Sequence, residues 1–171
     1  MEMEIERKWF VRELPDLKGL APLADERYYL DASDETSIRF QKRGDRYELE
    51  RMEAQSVLSR TQQKMSLTAG EFERMKKIAM GPLVRDSYLL QRDPQITLKV
   101  YGGVIIGLCR VEIEFATEEA AKAFEPLAWF GAEIDGLCPL GRDSQLVQMT
   151  REQFLATMQR YQVPMIGVTN T

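Results

Sequence analysis

The chain has 171 residues, the size of one domain, with 44% apolar and 29% charged side chains. Its net charge of −4 argues against a general nucleic-acid or membrane-binding surface, but not against a basic site enclosed in a cavity. Histidine is absent, which excludes His-built zinc sites, Ser/His/Asp triads and Cys/His dyads. A metal would have to be held by carboxylates, which favours Mg²⁺ or Mn²⁺. Cys109 and Cys138 have no metal-ligand spacing and read as free thiols of a reducing compartment. The N-terminus opens on charged residues with no apolar stretch, so no signal peptide is expected. The apolar run at Val104-Ile105-Ile106 is too short to span a bilayer. Cytoplasm is the expected location.

Polar and apolar residues alternate from Met3 to Phe10, predicting a first strand. Further strands are predicted at Arg27–Leu30, Ser37–Lys42, Arg46–Met52 and Ser59–Ser66, with Gly44-Asp45 as a hairpin signal. Thr68-x-x-Glu71 is a capping-box pattern, and Phe72, Met75 and Ile78 follow at helical spacing up to Gly81-Pro82. Strands return at Leu83–Gln91, Gln95–Tyr101 and Leu108–Phe115, with Gly102-Gly103 as a turn. Thr117 can cap a helix with Ala120, Ala121, Phe124 and Leu127 on one face and Gly131 as its stop. Thr150-x-x-Gln153 opens the last helix, through Phe154, Leu155, Met158 and Tyr161. The expectation is an α+β fold: an eight-stranded antiparallel β-barrel with helices packed outside. One domain spans residues 1–165, and 166–171 form a flexible tail. Trp9, Tyr28 and Trp129 are assigned to the core.

Several strands carry charge at every second position: Glu4/Glu6/Lys8, Arg60/Gln62/Lys64 and Arg110/Glu112/Glu114. Ile5, Val111, Ile113 and Phe115 lie between them. Closing such a sheet with helices outside turns a charged face inward, and buried charge is costly without a partner or ligand. Carboxylates at i and i+2 of a strand share a face, about 7 Å apart. Glu4/Glu6 and Glu112/Glu114 could therefore hold a hard cation from two strands. Cationic side chains on the same wall would bind the phosphate oxygens that the metal leaves free.

Met3-Glu4-Ile5-Glu6-Arg7-Lys8-Trp9-Phe10-Val11 resembles the E-I-E-R-K-F-L-V opening of the CYTH superfamily, the triphosphate tunnel metalloenzymes. Ser37-Ile38-Arg39-Phe40 is similar to that family's arginine strand, and Leu58-Ser59-Arg60 to its L-S-R segment. Arg110-Val111-Glu112-Ile113-Glu114-Phe115 resembles its V-E-V-E-F strand, and the Thr117–Gly131 segment is similar to the family's at that place. The resemblance covers most of residues 1–135 in the right order. It implies an eight-stranded tunnel in which Glu4, Glu6 and Glu114 coordinate Mg²⁺ or Mn²⁺, with Glu112 nearby. Lys8, Arg39 and Arg60 would bind the triphosphate.

The chain also departs from that pattern. Gln41 stands where a second base is usual, and Arg51 where many hydrolases carry a lysine. Arg51 is placed at the catalytic and substrate-binding position, although an arginine does not deprotonate to activate water. Gln62, Lys64, Asp86, Tyr88 and Lys99 replace residues of other charge, and Pro139-Leu140-Gly141 lies where a basic segment is usual, with Arg142 nearest. The lumen is expected to gather Lys8, Arg39, Arg51, Arg60, Lys64, Lys99 and Arg110 against Glu4, Glu6, Asp86, Glu112 and Glu114. Lys64 or Lys99 would pair with Asp86. All seven bases are candidate substrate contacts, and Glu114 joins Arg51 as catalytic.

Three functions fit: hydrolysis of inorganic triphosphate or a related linear phosphate, a class IV-type adenylate cyclase, and a non-catalytic phosphate- or nucleotide-binding module. The expected partner is a triphosphate-containing small molecule or short polyphosphate, with no nucleic acid polymer and no membrane. The oligomeric state is open, a homodimer included.

Overall fold

Eight strands whose alternate residues are polar close on themselves. The structure, a computed structural model, describes residues 2–33, 35–56 and 58–167. The strands are β1 (Glu2–Val11), β2 (Leu23–Ala32), β3 (Thr36–Arg43), β4 (Arg46–Ala54), β5 (Ser59–Ser66), β6 (Met80–Arg92), β7 (Gln95–Tyr101) and β8 (Cys109–Glu114). Each is antiparallel to its neighbours in the order β5-β4-β3-β2-β6-β7-β8-β1, and β1 pairs back onto β5. The barrel is therefore closed, and closure leaves no free sheet edge along the wall. The expected α+β barrel is the one found.

A ninth strand was not expected. β9 (Phe130–Glu133) pairs with β1 at Trp9 and Val11, beyond the stretch where β1 pairs with β5. The sequence pattern put a helix there. Instead α2 (Glu118–Ala123), capped by Thr117, stops at Phe124, whose backbone is extended. Pro126 is the reason: it disfavours helical backbone before it and cannot donate a helical hydrogen bond. Leu127, expected on the buried face, is consequently exposed.

α1 (Ala69–Met75) begins with the expected capping box, Thr68 and Glu71 satisfying each other's backbone N–H. It buries Phe72 against Tyr28 and Phe40. The chain then tightens into a 3₁₀ turn over Lys76–Ile78, whose three-residue period carries Ile78 off that face; Ile78 is 79% exposed rather than packed. α4 (Arg151–Arg160) carries the second capping box, Thr150 with Gln153. Ile166, expected in a loose tail, donates its N–H to the Gly107 carbonyl at 2.8 Å and packs beside Val11, Leu98 and Cys109. The rest of that expected tail, 168–171, lies outside the described residues. Among the described residues no helix is long and apolar enough to cross a membrane.

Many apolar residues of the strands face outward and are covered there, while Tyr29 and Met52 line the cavity and Phe10, Leu83 and Tyr101 share the inner face of Arg110, Arg27 and Arg85. Trp9, Val111 and Ile113 pack with Ala121, Phe124 and Phe130. Tyr28 likewise lies in the core, as expected. A second layer caps one end of the barrel. Phe10, Leu83, Tyr101 and Leu108 meet Leu140, Leu146, Phe154 and Met158, from the short α3 (Asp143–Leu146), the turn before it, and α4. Both cysteines are free and buried.

Phe154 is fully buried in that cap. Phe154→Ala should therefore lower stability by about 3–5 kcal/mol in a denaturant titration. Ile78→Ala, at the exposed turn, should stay within about 0.5 kcal/mol of the parent.

Candidate active site

Residues directly opposite each other in an antiparallel pair point to the same face. Following that rule around the barrel identifies the inner wall. Glu4 is opposite Arg60, Glu6 opposite Glu114, and Lys8 opposite Glu112. Thr97 is opposite Glu112, Lys99 opposite Arg110, and Ser87 opposite Lys99. Asp25 is opposite both Arg85 and Arg43, Arg39 opposite Glu50, and Glu50 opposite Lys64. All of these side chains except Asp25 and Ser87 line a cavity of about 950 Å³.

Glu4, Glu6, Lys8, Arg39, Arg60, Lys64, Lys99, Arg110, Glu112 and Glu114 all line this cavity. Arg51 does not. It is opposite Ile38, on the outer face, where it pairs with Glu53 at 3.0 Å and its side chain is 46% exposed. The expectation of a lumenal, catalytic Arg51 is corrected: with Arg39 turned inward, the register puts Glu50 inside and its neighbour outside. Asp86 is displaced in the same way. It is opposite Ala24 and Val100 on the outer side, while Arg85 faces in. The expected pairing of Asp86 with Lys64 or Lys99 therefore fails. Lys64 lies 3.8 Å from Glu50, and the Lys99 amine donates to Ser87 Oγ at 3.1 Å.

The carboxylates gather on β1 and β8. Arg60 Nε donates to Glu4 Oε2 at 2.8 Å, and its Nη2 lies 3.2 Å from Glu6. Lys8 is also 3.2 Å from Glu6 and donates to the Gly141 carbonyl. Burial would raise the Glu6 carboxyl, but Arg60 and Lys8 hold it below the ordinary range. Glu114 is relieved less: burial, then Glu4, Glu6 and Glu112, push its carboxyl up, and Lys99 offsets only part of this. A hard, oxygen-rich cluster of this kind has donor chemistry suited to a divalent cation. Among the described residues no three of these carboxylates already converge as a cage. Arg60 and Lys8 hold Glu4 and Glu6 instead.

Across the lumen, Arg39 Nε donates to Glu50 Oε2 at 2.6 Å and Gln41 donates to Glu50 Oε1 at 2.9 Å. Burial opposes ionisation of Glu50, yet Arg39 and Arg27 bring its carboxyl down to about 2. Lys99 is 9% exposed and makes no ion pair among the described residues. Burial, with Arg85 next, lowers its amine to about 7.

Sequence reasoning missed Asp25, Arg27, Glu50, Arg85 and Asp143, all buried inside. Asp25-x-Arg27-x-Tyr29 has the same period-two signal as the opening strand, but the predicted strand began only at Arg27. Glu50 and Arg85 each sit beside a charged neighbour, Arg51 and Asp86, so alternation alone leaves their facing open. Asp143, on a four-residue helix far along the chain, has no local signal. The cavity is thus walled by the bases Lys8, Arg27, Arg39, Arg43, Arg60, Lys64, Arg85, Lys99 and Arg110 and by the acids Glu4, Glu6, Glu50, Glu112, Glu114 and Asp143, with Asp25 paired to Arg85.

Two outcomes follow from these placements. Arg39→Met strands a buried Glu50 carboxylate and should cost about 3–5 kcal/mol in stability. Arg51→Ala should stay within about 0.5 kcal/mol and leave tripolyphosphate binding unchanged by calorimetry. Lys99 gives a pH signature. From about pH 7 to its ordinary value of 10.5, the unfolded chain binds a proton there that the folded chain does not. Stability of the metal- and phosphate-free protein should therefore rise through that window, with the full cost of the buried charge present below it. Lys99→Met should be more stable than the parent at pH 6, and the difference should shrink by pH 10 in parallel melts.

No protein-family model matches the chain. It is 32% identical over 134 residues to an inorganic triphosphatase of Nitrosomonas europaea, an alignment covering 77% of this chain and 88% of that relative. It superposes on the crystal structure of an inorganic triphosphatase with a TM-score of 0.62 and 27% identity, covering 87% of this chain and 97% of the other. A Pyrococcus horikoshii protein shares the fold alone, with a TM-score of 0.52, 15% identity, and 70% and 84% of the two chains covered. The closed barrel with its charged lumen and the extent of the triphosphatase match together place this chain in the CYTH superfamily of triphosphate tunnel proteins.

Proposed function

We propose that the barrel is a metal-dependent triphosphatase that hydrolyses inorganic triphosphate or a related linear phosphate. The observation that carries this reading is one cavity in which four carboxylates of β1 and β8 face bases contributed by β1, β3, β5 and β7. A relative described as an inorganic triphosphatase, matched over most of both chains, supports the same substrate class.

In this reading Glu4, Glu6, Glu112 and Glu114 hold a Mg²⁺ or Mn²⁺ ion. When bound, the ion supplies charge neutralisation and polarises a phosphoryl oxygen. The residues of the chain do the rest. Lys8 and Arg60, freed from Glu6 and Glu4, turn to phosphate oxygens, and Lys64 and Lys99 add donors from β5 and β7. Arg39 stays anchored to Glu50 and presents its remaining N–H groups to the lumen. Such a wall holds the phosphate chain in line and spreads stabilising charge over the oxygens, which is most of what phosphoryl transfer requires. Arg110 takes a different part. Its guanidinium is bound to Glu112, Asp143 and the Leu140 carbonyl, so it positions the Glu112 carboxylate rather than gripping substrate.

The test is product analysis. Purified protein with Mg²⁺ or Mn²⁺ should release orthophosphate from tripolyphosphate faster than from ATP or thiamine triphosphate. The double variant Glu4→Gln/Glu6→Gln should lose at least about 100-fold in kcat/KM, equivalent to about 2.7 kcal/mol of transition-state stabilisation, while keeping a cooperative melt. Cyclic AMP with pyrophosphate as the products would identify a cyclase instead. Binding without turnover on any of the three substrates would overturn the hydrolase reading in favour of a binding module.

A further inference from the structure

The capped end of the barrel holds a carboxylate with four side-chain hydrogen bonds. Asp143, the first residue of α3, points inward and is 7% exposed. Its Oδ2 accepts from Arg27 Nη1 at 2.7 Å and from Arg85 Nη1 at 2.7 Å. Its Oδ1 accepts from the Tyr101 hydroxyl at 2.7 Å and from Arg110 Nη2 at 2.9 Å. Four donors from β2, β6, β7 and β8 thus converge on one carboxylate. Buried guanidiniums arranged in this way suit the oxygens of a phosphoryl group equally well.

The chain keeps its own anion in that cradle. Asp25 reinforces it, lying 3.0 Å from Arg85 and 3.7 Å from Arg27. The deep arginines are therefore neutralised from within. Among the described residues Lys99, opposite Arg110, has no carboxylate at ion-pair distance, and Lys64 is only loosely paired. The segment bearing Asp143 is held firmly. Leu140 and Leu146 are buried in the apolar cap on either side of it. Gly141 packs so closely that an added Cβ would meet Ile134 Cγ2 at 2.5 Å.

We propose that Asp143 is the floor of the anion track and limits the length of the linear phosphate the tunnel accepts. It occupies the three-arginine cradle where further phosphoryl groups would otherwise sit, so short chains are bound and long polyphosphate is turned away at the capped end. This rests on the triphosphatase reading for its substrate class, but not for its geometry.

The test compares tripolyphosphate, tetrapolyphosphate and a polyphosphate of several tens of units on the parent, Asp143→Asn and Asp143→Ala. Metal-dependent hydrolysis and calorimetric binding are both read. The parent should prefer tripolyphosphate. Asp143→Ala should raise both the kcat/KM ratio and the affinity ratio of the longer chains to tripolyphosphate at least tenfold, with Asp143→Asn between. Ratios unchanged within twofold in the folded variants, or a parent that takes the long chain as readily as the short one, would overturn the proposal. Asp143→Ala leaves Arg27, Arg85 and Arg110 with only Asp25 and Glu112 as counter-charges and can lose its fold. Its melt is therefore also followed against inorganic phosphate. Recovery of a cooperative transition with phosphate supports the cradle. Failure to recover, together with the parent's length preference in Asp143→Asn, overturns it. A parent that binds but never hydrolyses counts against the triphosphatase reading alone, and the affinity ratios still judge the floor.

Discussion

The barrel closes around charge, and closure forces that charge to be matched. Every second residue of eight strands turns inward, and in this chain most of those residues ionise. Ionised groups removed from water are tolerated only when paired and hydrogen-bonded. The antiparallel register supplies the pairing, because opposite residues share a face: Glu4 with Arg60, Arg39 with Glu50, Asp25 with Arg85. The apolar residues between them then have to face out, where α1, α2, β9 and the C-terminal segment cover them.

The matching is uneven along the lumen, and this gives the site its polarity. At the capped end Asp143 and Asp25 satisfy Arg27, Arg85 and Arg110 with short charge-assisted hydrogen bonds. The Asp143 carboxyl is accordingly held well below its ordinary range, the arginines outweighing burial. On the β1–β8 side carboxylates crowd each other, and Glu114 is raised. On β7 a lysine is buried with no carboxylate at ion-pair distance among the described residues. A cluster of crowded acids and a lysine bonded only to a serine hydroxyl, facing one cavity, are the groups that the proposed divalent cation and phosphate chain would satisfy. A tunnel fully neutral in every layer would have no such demand for ligand.

Particular residues show how far the sequence could be read. The opening Glu4-x-Glu6-x-Lys8 includes the charged Arg7, but Ile5 and Trp9 on either side of it set the alternation, and Val111 and Ile113 do the same for the late Glu112-x-Glu114. These residues do line the cavity. Arg51 and Asp86 were misplaced because each adjoins another charge, Glu50 and Arg85. In such a doublet either member satisfies the alternation. A one-residue difference in register then exchanges inside for outside.

The amino-acid sequence by itself determined the antiparallel barrel, the apolar exterior of its strands and the carboxylate-bearing wall, since period-two alternation and capping boxes act within a few residues. Only the tertiary structure decided which member of each charged doublet faces the lumen, because that depends on the register of a neighbouring strand. It alone placed Asp143 among Arg27, Arg85 and Arg110, residues 116, 58 and 33 positions away along the chain. No local pattern encodes such a contact. It exists because packing of the C-terminal segment over one end of the barrel brings a single carboxylate to four donors that were already buried.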